Sequence, residues 1–144
     1  MSIKLKQAQE ADRSELIEML WDNGMVHAEP IEDYLIAIED DDVVGCIRLE
    51  VLAELMMIRP LVVSSSHRKK GIGRLLIKRV LKTDRIMGVM SRGSAIAFYE
   101  TLGFKKAQRS ILPVSQQQEC LQCPDEGTCS PQPMIRNCDA NKQM

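Results

Sequence analysis

Thirteen residues, Ser64 to Leu76, read SSSHRKKGIGRLL. They bring together three serines, His67, the cations Arg68, Lys69, Lys70 and Arg74, and two glycines, Gly71 and Gly73. An apolar-basic helical pattern follows. The first turn of a helix presents unpaired N–H groups and the positive end of its dipole. Glycine lets an anion approach the backbone closely, and the cations add charge. The combination suits a diphosphate cradled by main-chain donors. Two familiar phosphate motifs do not fit. No Lys-Ser or Lys-Thr follows Gly73, as a G-x-x-x-x-G-K-[ST] loop requires, and Leu76 stands where a G-x-G-x-x-G fingerprint needs its third glycine. The plainer alternative is a solvated basic face ahead of an amphipathic helix.

A second segment discriminates between these readings. Arg68 to Gly73 matches [Q/R]-x-x-G-x-[G/A] and so resembles the acetyl-CoA pyrophosphate loop of the GNAT N-acetyltransferase superfamily. The preceding LVVSSSHR is similar to that superfamily's L-x-V-x-P-x-x-R, with Ser65 in place of proline, and AFYETLGF, about 25 residues downstream, is similar to its FYxxxGF segment. Asn23 to Met25 (NGM), Ile47 to Val51 (IRLEV), Ile58 to Val63 (IRPLVV) and, more distantly, Glu119 to Pro124 resemble the arsenic-resistance and amino-acid N-acetyltransferases within it. Lys69 departs from the pattern, standing where a glycine often follows the first loop residue.

The resemblance implies acetyl transfer from acetyl-CoA, the cosubstrate, to a primary amine. Residues Arg68, Lys69, Lys70, Gly71, Ile72, Gly73 and Arg74 would hold the diphosphate. The main chain at Val63, and at Leu61, would pair with the pantetheine arm. An N–H aimed at the thioester oxygen contributes about 3 kcal/mol when well placed. Tyr99 matches the family's general acid for the departing thiolate, with a phenol of ordinary pKa about 10; its alternative role is a core aromatic. The attacking amine must also lose a proton. Glu50 and Glu54 are the candidate bases, or else solvent-facing glutamates. Glu50 shares a strand face with Arg48 and Leu52. Arg59 stands where amino-acid-acetylating relatives carry arginine, and its fork suits a substrate carboxylate; an ion pair with Glu50 or Glu54 is the alternative. His67 reads as a loop or CoA-phosphate contact and His27 as a surface residue.

These groups need elements to hold them. Alternation predicts a strand over Ile3 to Gln7. Asp12 and Glu15 have capping-box spacing for a helix whose stripe, Leu16, Ile17, Met19 and Leu20, stops at Asn23-Gly24. Tyr34 to Ile38 and Val43 to Leu52 read as a hairpin around an acidic turn. ELMMIRPLVVS reads as a third strand, with a bulge or splaying expected at Pro60. A helix over Gly71 to Lys82 would bury Ile72, Leu75, Leu76 and Val80. RIMGVMS reads as a strand, SAIAFYETLGF as a helix capped at Gly103, and KKAQRSIL as a strand. These elements give an α+β class, a mainly antiparallel sheet with helices on its faces, and the resemblance implies the GNAT-type mixed sheet with helices on both faces, the acyl-CoA N-acyltransferase fold. On that resemblance residues 1–112 are expected to form the N-acetyltransferase core domain, and 113–144 a Cys/Pro/Gln-rich segment that completes or trails it, unlike a typical final strand.

With 144 residues and 44% apolar content, one ordinary core is expected. The formal charge of −1 conceals polarity along the chain: residues 1–60 carry 14 acids against 5 bases, and residues 61–92 carry 1 acid against 9 bases. That points to a local anion site, without aromatic stacking partners for nucleic acid. No apolar leader or membrane span is visible, so a cytoplasmic, soluble protein that binds no membrane is expected; the resemblance implies a small-molecule amine as partner, and no nucleic acid is expected. A homodimer is compatible with the family. Cys120, Cys123, Cys129 and Cys138 read as free thiols, with no metal, although the first pair has metal-site spacing. Competing readings are a protein N-terminal acetyltransferase and a non-catalytic CoA-binding regulatory module.

Overall fold

The structure, a computed structural model, describes residues 2–52, 55–81, 86–91, 95–108 and 132–136. Among the described residues there are seven strands: β1 (Lys4–Gln7), β2 (Tyr34–Glu39), β3 (Asp42–Leu52), β4 (Leu55–Val63), β5 (Ile86–Ser91), β6 (Lys105–Lys106) and β7 (Gln132–Arg136). Three α-helices join them: α1 (Arg13–Asp22), α2 (Ile72–Val80) and α3 (Ala95–Glu100). The strand order is β1-β2-β3-β4-β5-β7-β6, with β4 and β5 parallel. This is the mixed, mostly antiparallel sheet with helices that the sequence predicts. The chain divides into two compact units, one of Met1–Leu49 with Arg59–Thr83, the other of Glu50–Ile58 with Asp84–Met144.

In the first unit, α1 turns Leu16, Met19 and Leu20 into a core with Ala8, Ile31, Tyr34, Ile36, Cys46 and Val62. Burying each large aliphatic side chain contributes about 1.5–3 kcal/mol. The helix start differs from the capping box expected of Asp12 and Glu15. Asp12 instead accepts the Gln9 N–H at 2.9 Å, and Glu15 accepts the Val43 N–H at 3.2 Å. The helix end is as predicted. Gly24 takes φ +74°, its N–H reaches the Trp21 carbonyl at 3.0 Å, and the Met25 N–H reaches that of Leu20 at 2.9 Å. That pair of bonds is a Schellman stop.

The β2–β3 hairpin turns on two residues, Asp40 and Asp41, both with positive φ (51° and 67°), so β3 restarts one residue earlier than predicted, at Asp42. Such tight turns follow the natural twist of the strands, and aspartate tolerates the left-handed region. Strand β4 runs unbroken through Pro60.

Helix α2 lies in the same unit. It buries Ile72, Leu76 and Ile77, while Leu75 is 44% exposed. The buried face is therefore rotated from the one expected, with Ile77 in place of Leu75. Gly45 on β3 allows the close approach: a methyl there would meet Ile72 Cγ2 at 3.1 Å, the Val62 carbonyl at 3.2 Å and Leu76 Cδ1 at 3.3 Å.

In the second unit β5 pairs with β7 from Met87–Arg136 to Ser91–Gln132, and β6 pairs with β7 as well. Within the segment expected to complete or trail the domain, residues 132–136 form a largely buried strand in the sheet, where no typical final strand was expected. The strand expected from KKAQRSIL is described only as β6; residues 109–112 fall outside the described set. Methionine fills this interior, with Met57 and Met134 fully buried. Gly88 admits Met57, whose Sδ lies 2.7 Å from where a Cβ would sit.

Helix α3 ends as its sequence predicts. Gly103 has φ +91°, its N–H bonds the Glu100 carbonyl at 3.2 Å, and the Phe104 N–H bonds that of Tyr99 at 3.1 Å. Phe104 folds back edge-on against Tyr99, ring centroids 5.3 Å apart. Arg136 of β7, only 3% exposed, donates from Nε to the Leu102 carbonyl at 2.9 Å and so serves the same helix end.

Candidate active site

The first unit gathers the phosphate-loop residues, Leu61, Val63 and Arg59. Strand β4 delivers Arg59, half-buried, then Leu61 and Val63. The ladder continues one residue further, since the Ser64 N–H bonds the Val44 carbonyl at 2.9 Å. A short 3-10 turn, Ser65–His67, then reverses the chain. Its side chains bond one another: Ser64 Oγ to Ser66 Oγ at 3.2 Å, and Ser66 Oγ to His67 Nδ1 at 2.9 Å. On its other side, His67 Nε2 lies 4.0 Å from Glu39 Oε2. His67 therefore braces the loop base.

From Arg68 the loop opens to solvent. Arg68, Lys69, Lys70, Gly71 and Arg74 are exposed. Lys69 has φ +66° and Gly71 φ +83°. Alternating left-handed residues turn successive N–H groups toward one side, the geometry of an anion nest. Lys69 occupies this conformation without being glycine, at a cost of about 1–2 kcal/mol. Gly71 is the N-cap of α2. Among the described residues no side chain caps that helix, and the Gly71 carbonyl accepts the Leu75 N–H at 3.0 Å. Beyond Gly71's own chain neighbours and the adjoining helix backbone, no described atom comes within 4 Å of a Cβ built on it. Open space, uncapped first-turn donors and four cations within seven residues fit a diphosphate.

Arg68 is already oriented. Its Nε donates to the Val63 carbonyl at 3.3 Å and its Nη2 to Asn23 Oδ1 at 3.2 Å. Arg59 is tied to the neighbouring strand through its main chain: Arg48 Nη1 donates to the Arg59 carbonyl at 3.2 Å. Two arginines thus adjoin on β3 and β4. The segment after α1 is held by the Ala28 N–H donating to the Tyr34 hydroxyl at 3.0 Å. His27 Nε2 bonds Glu29 Oε1 at 3.1 Å, and Arg13 also pairs with Glu29, holding that carboxyl below its usual range.

Glu50 and Tyr99 belong to the second unit. Glu50 is half-buried on β3. Glu54, the four tail cysteines and the connection at 82–85 lie outside the described residues. Tyr99 is 6% exposed on α3, between Phe98 and Phe104. Burial pushes its phenol well above 10, which corrects the ordinary value expected. Among the described residues no group of His, Cys, Asp and Glu could hold a metal, and no helix is long and apolar enough to cross a membrane.

Two contributors escaped the sequence reading. Gly45, a lone glycine within a strand, carries the usual signal of a close backbone approach. Asn23 was legible as a helix stop, but its link to Arg68, 45 residues away, carries no sequence signal.

The family model for the acetyltransferase (GNAT) domain matches residues 30–106. An uncharacterized N-acetyltransferase of Chlorobaculum tepidum is 29% identical over 112 residues, 75% of this chain and 72% of that protein. Among solved structures, the N-acetylglutamate synthase of Neisseria gonorrhoeae, complexed with coenzyme A and N-acetyl-glutamate, superposes with a TM-score of 0.74 at 18% identity. That match covers 94% of this chain but only 35% of the synthase. The ribosomal-protein-S18-alanine N-acetyltransferase of Escherichia coli superposes at 0.69 and 18% identity, covering 94% of this chain and 93% of that one. The diaminobutyrate acetyltransferase of Paenibacillus lautus, bound to L-2,4-diaminobutyric acid and coenzyme A, superposes at 0.60 and 16% identity, covering 93% of each.

Proposed function

The chain belongs to the GNAT acetyltransferase family, enzymes that use acetyl-CoA, and from that premise we propose that it acetylates the primary amine of a small amino acid or amino-acid analogue. The observation that carries this reading is the uncapped, open start of α2, with Lys69 and Gly71 left-handed, in the same unit as Arg59.

Acetyl-CoA supplies the activated acetyl group as a thioester. The chain's own residues bind, orient and move protons. Main-chain donors from Lys69 to Arg74 grip the diphosphate, and Arg68, Lys69, Lys70 and Arg74 neutralise it. The β4 main chain at Leu61 and Val63 aligns the pantetheine arm, which fixes the thioester for attack. Holding both reactants in line removes much of the entropic barrier.

Arg59, with Arg48 beside it, receives the acceptor's carboxylate through its planar fork. Glu50 takes the amine proton, directly or through one water, and passes it to solvent. Tyr99 keeps its proton at every working pH because burial raises its pKa. It serves the leaving sulfur as a hydrogen-bond donor, with solvent completing the protonation. Full transfer from so weak an acid to a thiolate is uphill.

The amino-acid reading draws support from the NGM, IRLEV and IRPLVV segments, which resemble the arsenic-resistance and amino-acid subgroup, and from two structural relatives, one complexed with N-acetyl-glutamate and one with its substrate L-2,4-diaminobutyric acid. A protein N-terminus is the second reading. It is favoured by the likeness to the ribosomal-protein acetyltransferase, which matches over nearly its whole length. A screen that follows CoA thiol release over amino acids, diamino acids, polyamines and peptides separates them. Turnover confined to free amino acids, lost in Arg59→Ala, is expected. Turnover with peptides alone supports the second reading, and none with any amine points to a CoA-binding module without catalysis.

A further inference from the structure

We infer that Asn23, at the end of α1, is a positioning residue for the coenzyme A loop, holding the Arg68 guanidinium toward the diphosphate. This rests on the loop's assignment above. It does not follow from the loop motif, because Asn23 lies far from it in sequence.

The Asn23 carboxamide is used at both ends. Its Nδ2 donates to the Met19 carbonyl at 2.8 Å, and its Oδ1 accepts from Arg68 Nη2 at 3.2 Å. A carbonyl only accepts and a guanidinium only donates, so one orientation of the amide satisfies both. Asparagine's own position is fixed. Its N–H bonds the Leu20 carbonyl at 3.0 Å, and the Schellman stop at Gly24 locks the next residue. The oxygen that meets Arg68 therefore projects from a rigid helix end.

Arg68 gains two anchors from this arrangement. Nη2 is held by Asn23 and Nε by the Val63 carbonyl. A guanidinium has five N–H donors, so three remain for an anion. Long side chains lose conformational entropy on binding. Anchoring Arg68 beforehand removes part of that cost from coenzyme A association. The same anchors tie the loop's first residue to the end of β4 and to α1.

The test compares Asn23→Ala with Asn23→Asp. Asp keeps an acceptor for Arg68 but loses the donor to Met19, whereas Ala loses both. Coenzyme A affinity by calorimetry, KM for acetyl-CoA, kcat and melting temperature are measured at one fixed salt concentration. Asn23→Ala is expected to weaken coenzyme A binding and raise that KM about three- to tenfold, as for the net loss of one ordinary hydrogen bond, with kcat within about twofold. Asn23→Asp is expected to keep the KM within about twofold of the wild type while melting as low as Asn23→Ala. Adding Asn23→Ala to Arg68→Ala should change coenzyme A affinity no further. Equal losses of affinity in Asn23→Ala and Asn23→Asp would reduce Asn23 to a helix cap and overturn the inference. So would unchanged or tighter binding in Asn23→Ala. Wild-type protein that binds no coenzyme A would overturn the loop assignment itself.

Discussion

Gly45 of β3 lies beneath Ile72, the first residue of α2, so closely that a Cβ on Gly45 would sit 3.1 Å from Ile72 Cγ2. The contact sets the height of α2, the helix proposed to bind the diphosphate, above the strand. Gly45→Ala must push α2 outward or shift Leu76, at about 1–3 kcal/mol of stability. Because the loop donors ride on α2, KM for acetyl-CoA should rise along with the drop in melting temperature. A melt together with initial rates checks both; unchanged KM with lowered stability would detach helix position from cofactor binding.

Lys69 offers the opposite experiment. Its φ of +66° suits glycine, not lysine. Lys69→Gly should raise stability by about 1 kcal/mol by relieving that conformation. Lys69→Ala keeps the strain and removes only the charge. Coenzyme A affinity should therefore fall more in Lys69→Ala than in Lys69→Gly, measured by calorimetry at low salt.

Tyr99→Phe removes only a hydroxyl, and the packing against Phe98 and Phe104 remains. Melting temperature should hardly change, while kcat falls about ten- to a hundredfold, as for loss of one hydrogen bond to the charge developing on the leaving sulfur. The wild-type rate profile should show no alkaline limb from this phenol up to pH about 10, since burial raises its pKa.

Cys46 predicts how stability varies at high pH. Burial pushes its thiol from 9.0 up to about 12. The unfolded chain ionises this thiol first, so its contribution is complete below pH 9 and is lost as pH climbs toward 12. Tyr34 and Tyr99, also raised by burial, act in the same direction above pH 10. Urea midpoints should fall between pH 8 and pH 10.5, and fall less in Cys46→Ala.

The sequence made the loop and the α3 cap legible because glycine marks both, and Gly71 and Gly103 each take the left-handed backbone that their places require. The hairpin was legible because its acidic turn separates two apolar runs. The face of α2 was harder to place: Leu75 and Ile77 are both apolar, and only the fit over Gly45 selects the buried one. Strand β7 was illegible because a Cys- and Pro-rich segment says little about pairing. Its order comes from partners on β5, more than 40 residues back, and from Arg136 bonding the α3 end. Asp12 and Glu15 had the spacing of one cap yet serve two different N–H groups, a choice made by the neighbouring turn and strand.

The central claim is that main-chain donors at the start of α2 hold a diphosphate, and ligands that differ in that group test it most directly. Calorimetry compares dephospho-coenzyme A, which keeps the diphosphate, with pantetheine, which lacks it together with the adenosine, and a Gly71 variant isolates the share that belongs to the diphosphate. Several charge-assisted hydrogen bonds together predict at least a hundredfold weaker binding of pantetheine, and Gly71→Val should erase most of that difference. Equal affinity for the two ligands, with Gly71→Val binding both as the wild type does, would contradict it.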